Sequence, residues 1–164
     1  MRKLNYAKHA AAAGMALFAL ASPLTAKVAM ADEIDIVITH VKALDAFDEL
    51  SKGDTFAKVT IGKDVQSTPV ISQQTEIKPD WKIVQKVKPG KHDVKVEIFD
   101  KDVSVDDAID INKVANRRPL EFTVDTRTCR IEGFSQTYKC GDTIKRAGEE
   151  KKKAEITFVV KVKK

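Results

Sequence analysis

The chain has 164 residues, 29 of them Lys or Arg and 24 Asp or Glu, and 43% are hydrophobic, giving a formal charge of +5. Those totals suit one globular domain and exclude a disordered or collagen-like chain. The basic excess comes from Arg2, Lys3, Lys8 and Lys27; without residues 1–31 the formal charge is +1, so the clustered base that a nucleic-acid partner requires is missing.

Residues 1–31 read as a cleaved signal peptide. Arg2, Lys3 and Lys8 form a charged end, and Ala10 to Ala21 an apolar run too short to span a bilayer as an anchor. Ala29-Met30-Ala31 is a small-x-small cleavage site. Residues 32–164 are then one exported domain, periplasmic or secreted, with no transmembrane anchor after cleavage. An oxidising destination predicts a disulfide between its two cysteines, Cys129 and Cys140.

Apolar residues alternate at period two in segment after segment, the pattern of strands with one buried face. Ile34, Ile36 and Ile38 open the series. Val59 and Ile61 follow, then Trp81, Ile83 and Val87, then Val94, Val96 and Ile98, then Leu120, Phe122 and Val124. A hairpin-like stretch spans Cys129 to Cys140, and Ile156, Phe158, Val160 and Val162 make a long final strand. Turn signals such as Gly62-Lys63-Asp64 and Lys88-Pro89-Gly90 separate the segments, and no helix is expected. The result is an all-β antiparallel sandwich. KRAGEEKKK, Lys145 to Lys153, has no apolar face and reads as a solvated loop.

Carboxylates gather in two stretches that a sandwich would bring to one end. Asp48 and Asp54 flank a glycine turn, and Asp100 and Asp102 end the strand that begins with Val94, followed by Asp106 and Asp107. So many acids on adjoining loops repel one another, so the folded state needs a cation or wide separation. Hard carboxylate oxygens on loops suit calcium better than zinc.

These segments, in this order, resemble the C2 domain. Asp48 and Asp54 have the family's spacing, DTFAKVTI stands at its Asp-Pro-Tyr-Val-Lys-Val strand, Lys78-Pro79-Asp80-Trp81 resembles its Asn-Pro-x-Trp turn, IFDKD its Asp-x-Asp ending and Asp106-Asp107-Ala108-Ile109 its Asp-Asp-x-Ile-Gly. Thr55 replaces the proline, Asp110 the glycine, and the third loop is one residue shorter. The resemblance implies eight strands in the circularly permuted, phospholipase-like order, with the C-terminal strand beside the first. It also implies one or two Ca2+ held by Asp48, Asp54, Asp100, Asp102 and Asp107, with Asp106 in reserve, and by the carbonyls of Phe47 and Lys101.

The function expected is therefore binding rather than catalysis: calcium in the loops, docking on an anionic membrane surface or an envelope protein. Leu50, Lys52, Val103 and Val105 are the contacts available on those loops. Lys82, Lys86 and Lys88, out of phase with Trp81, Ile83 and Val87, form a candidate basic face, with Lys58 beside it. The alternative is a calcium-independent interaction sandwich. No Gly-x-Ser-x-Gly or zinc-ligand pair supports an enzyme.

Overall fold

Period-two alternation turns directly into burial. A computed structural model describes residues 31–45 and 53–164, and the described residues form strands without a helix. In chain order these are β1 (Asp32–Ala43), β2 (Thr55–Ile61), β3 (Asp64–Ser67), β4 (Glu76–Ile77), β5 (Trp81–Val87), β6 (Lys91–Asp100), β7 (Asp107–Ile109), β8 (Leu120–Asp125), β9 (Arg130–Glu132), β10 (Tyr138–Lys139), β11 (Thr143–Ala147) and β12 (Ala154–Lys163).

Two antiparallel sheets result. One runs β11-β12-β1, with β4 and β5 sharing the far side of β1; the other runs β10-β9-β8-β6-β2-β3, with β7 alongside the end of β6. β4 and β5 occupy one lane, broken at Pro79, which has no amide to donate, and at Asp80, which takes a left-handed φ of 45°. β7 and β8 likewise share one side of β6. Counted by lanes, the eight expected strands are present, and β3 and β10 are short hairpin additions. The C-terminal β12 pairs with β1 along nearly its whole length.

The inward faces are those the alternation marks. Ile34, Ile36 and Ile38 of β1 and Ile156, Phe158 and Val160 of β12 are fully buried against Val59, Val96, Ile98 and Val124 of the opposite sheet. Each such side chain contributes about 1.5–3 kcal/mol by leaving water. β1 changes phase after Ile38, where a register shift inserts Thr39 and lets Val41 point inward as well. Phe122 stacks on Phe158 at 5.7 Å and meets Phe134 at 5.2 Å. Trp81 is a core residue, 6% exposed.

Two sequence-based expectations need correction. Lys145 to Lys153 is not all loop: its first residues belong to β11, where Ile144 is fully buried and Arg146 lies over the rings of Phe134 and Tyr138 at 4.5 and 5.4 Å. A single inward apolar residue in a strand of five is too short a pattern to register as alternation. The other concerns Lys88, which lies beyond the end of β5 and so is not on the strand with Lys82 and Lys86. Cys129 and Cys140 are joined as expected, with Cα atoms 5.3 Å apart, across the β9–β10 hairpin.

Candidate functional site: the loop end of the sandwich

Strand direction collects the acidic residues at one end. β1 and β6 finish there and β2, β7, β8 and β12 begin there, so the segments around Leu44, Asp54, Ile71, 101–106, 110–119 and 148–153 adjoin one another. Backbone bonds tie them together: Leu44 N–H donates to the Lys153 carbonyl at 2.9 Å, Thr55 exchanges bonds with Ile71, and Lys101 N–H donates to the Asp54 carbonyl at 2.9 Å.

The carboxylates are mostly engaged by the protein itself. Asp100, 4% exposed, accepts from the Asp54 amide at 2.6 Å. Asp54 in turn accepts from the Gln73 amide at 3.0 Å. Asp107 pairs across the ladder with Asp100, an arrangement that like charges destabilise, and its carboxylate is met by the Lys152 ammonium. Asp106 lies 3.8 Å from Lys58 Nζ, and that ammonium also sits over the stacked rings of Phe56 and Phe99, 5.3 and 4.4 Å from their centroids. Asp102 is half-exposed. Phe47, Asp48, Leu50 and Lys52 lie outside the described residues.

Among the described residues no three His, Cys, Asp or Glu side chains converge as metal ligands. Among the described carboxylates, one oxygen each of Asp54 and Asp100 accepts a backbone amide, and one each of Asp106 and Asp107 faces a lysine ammonium. Lys58 is also displaced from its expected neighbourhood. It belongs to β2 and faces Asp106, while Lys82 and Lys86 lie on the outer face of the other sheet, together with Lys161 and Lys163 of β12.

The sequence reading missed Asp110. It is 1% exposed, and its carboxylate accepts three backbone amides, from Asn112 at 2.9 Å, Glu149 at 2.9 Å and Glu150 at 2.8 Å. Its occupation of the family's glycine position was the available signal. Asp35 was missed too. It is 2% exposed and bonded to Lys82 and Lys163, each at 3.0 Å. Burial raises its pKa, but hydrogen bonds and charge from the two lysines outweigh that and hold it below the usual carboxylate value. Glu33 and Asp35 hold Lys163 above the usual lysine range. His40 and His92 are satisfied residues, on Glu76 at 2.9 Å and on the Lys88 carbonyl at 2.7 Å.

Exposed groups at this end have a different character. Six large apolar residues are exposed among those described, and five of them, Leu44, Val70, Val103, Val105 and Val114, are here; the sixth, Val65, is on β3. In the segments 101–106, 110–119 and 148–153 the exposed charges are Lys101, Lys113, Arg117 and Lys151 against Glu149 alone. Asp54, Asp100, Asp106, Asp107 and Asp110 are engaged by protein partners, while most of the exposed charges are basic.

Two antiparallel sheets in this order, with loops gathered at one end, define the C2 fold. The similarity to solved structures bears this out. The solved structure of a C2 domain matches with a TM-score of 0.57 and 13% identity over 81% of this chain and 99% of its own. The two tandem C2 domains of Extended-Synaptotagmin 2 match at 0.60 and 14%, over 92% of this chain and 47% of theirs. A calcium-bound form of that pair matches at 0.56. Human GIVD cytosolic phospholipase A2 matches at 0.54 and 11% identity; this chain spans 17% of it. No protein-family model matches the chain. No curated protein matches it either.

Proposed function

We propose that the chain is an exported C2-fold docking module, not a catalyst, and that its loop end seats on an anionic lipid surface. One observation carries this: Val103 and Val105, fully or largely exposed, project from the 101–106 loop beside the exposed bases Lys101, Lys113, Arg117 and Lys151. Apolar tips within a basic rim match the acyl boundary and headgroups of an anionic bilayer. No helix among the described residues is long and apolar enough to cross a membrane, so in this reading attachment is peripheral. Export is supported by the charged and apolar opening of the sequence and by the Cys129–Cys140 disulfide. We read the pairing of β12 with β1 as the permuted strand order. The reading needs no calcium, since the Lys58 and Lys152 ammoniums already face Asp106 and Asp107.

Co-sedimentation with phosphatidylglycerol vesicles, in chelator, tests the reading. The purified chain should pellet with them, and not with phosphatidylcholine vesicles. Val103→Asp/Val105→Asp should abolish pelleting and leave the melting temperature unchanged, since neither side chain packs in the core. A wild-type chain that stays in the supernatant with anionic vesicles at low salt overturns it.

A further inference from the structure

The 148–153 segment has the construction of an internal cation carrier. Asp110 fixes its near side through the Glu149 and Glu150 amides, and the Lys152 carbonyl accepts from the Asp110 amide at 2.8 Å. On the far side, Lys153 N–H donates to the Asp45 carboxylate at 2.7 Å and its carbonyl accepts from Leu44. Gly148 sits so close beneath that a Cβ there would meet the Asp110 carbonyl oxygen at 2.2 Å. Held from both sides, Lys152 takes a left-handed φ of 56°, a conformation that a side-chain-bearing residue keeps only where its surroundings impose it. From there its ammonium reaches the carboxylate of Asp107, 45 residues away in sequence and opposite Asp100 on the ladder.

We infer that Lys152 is a tethered counter-cation that occupies the place of a divalent ion at the loop end, so that this chain holds its acidic loops together without calcium. Asp100 and Asp107 stand directly opposite on the β6–β7 ladder, where like charges are destabilising and nearby positive charge offsets them. A lysine delivered by a pinned backbone supplies it at a high effective concentration that a free ion must compete against. Lys58 does the same for Asp106, with its ammonium steadied over Phe56 and Phe99. An ordinary exposed ion pair contributes little and its loss changes little. A counter-cation differs because its removal leaves a carboxylate pair that a metal can then relieve. This inference does not rest on lipid docking, and its readouts are metal response and stability.

The test compares the wild-type chain with Lys152→Gln and Lys152→Arg, by melting temperature in chelator and in several millimolar calcium, and by terbium luminescence sensitised by nearby aromatics. Wild type and Lys152→Arg should show the same melting temperature with and without calcium and no terbium signal. Lys152→Gln should melt lower in chelator and gain a calcium-dependent rise, about 4 °C when calcium is in tenfold excess over Kd. Should Lys152→Gln fail to fold, Lys152→Gln/Asp107→Asn, which removes both charges, should fold and show no calcium response. A calcium-dependent rise in wild type no smaller than that in Lys152→Gln overturns the inference. So does a folded Lys152→Gln that is neither destabilised in chelator nor responsive to calcium, or a double variant no more stable than Lys152→Gln.

Discussion

Replacing Asp110 by alanine should unfasten the loop end from the sandwich. Its carboxylate is 1% exposed and takes three amide hydrogens, from Asn112, Glu149 and Glu150, at 2.8–2.9 Å. Hydrogen bonds to a charged acceptor contribute about 1.5–3 kcal/mol each. Glu149 is exposed, so water recovers part of the loss, and a net destabilisation of about 3 kcal/mol follows, near 10 °C in melting temperature for a domain of this size. Gly148→Ala attacks the same contact from the other side, since its Cβ would lie 2.2 Å from the Asp110 carbonyl oxygen and the backbone must move. That overpacking should cost about 1–3 kcal/mol. Because both changes loosen the seating of the 148–150 segment on Asp110, the double variant should lose less than the two single losses combined. Urea unfolding followed by the fluorescence of Trp81, the chain's one tryptophan and 6% exposed, measures all three. Asp110→Ala within about 0.5 kcal/mol of wild type, the range of an ordinary surface change, refutes the clamp.

Removing the disulfide by Cys129→Ser/Cys140→Ser should destabilise the chain by about 2–3 kcal/mol, as expected for closing a short loop; finding both thiols open to alkylation in denatured, unreduced protein made in an oxidising compartment overturns the pairing. Asp35→Asn should matter only above the carboxylate range. The folded-state pKa of Asp35 is depressed, so its ion pairs stabilise at pH values above about 4 and that contribution fades as the pH falls through the lower folded value. Stability curves of wild type and Asp35→Asn should therefore converge in acid, and a gap constant from neutral pH down to acid refutes the assignment. On the outer face of β5, Lys82→Gln should lower stability through Asp35, whereas Lys86→Gln should leave stability alone and weaken vesicle binding mainly at low salt; equal effects of the two on stability would show that Asp35 does not depend on Lys82.

What the sequence makes legible is whatever repeats locally. Ile34, Ile36, Ile38, Val94, Val96, Ile98, Phe122 and Phe158 alternate at the period of the pleat, and each faces the core. The same logic fails where a strand is short or one-sided. β3 carries an exposed Val65 and packs nothing into the core, and β11 buries Ile144 between outward Thr143 and Lys145. Neither gives enough of a period to recognise. The phase change of β1 at Thr39 is equally hidden, because a bulge is a property of the paired partner, here β12.

The loop end shows the sharper limit. Carboxylate spacing located Asp54, Asp100, Asp102, Asp106 and Asp107 at one end of the fold, and they lie there. Spacing carries no information about which donor arrives from elsewhere in the chain. Asp107 finds Lys152 from 45 residues away, Asp45 finds the Lys153 amide from 108 and Asp110 finds the Glu149 amide from 39. A charge run with no apolar face looks solvated from its composition, and most of KRAGEEKKK would be if it ended in open loop. Its course is decided instead by Asp110, a buried carboxylate at a position where a glycine would offer no acceptor. Asp110 thus fixes the start of the segment from which Lys152 reaches Asp107.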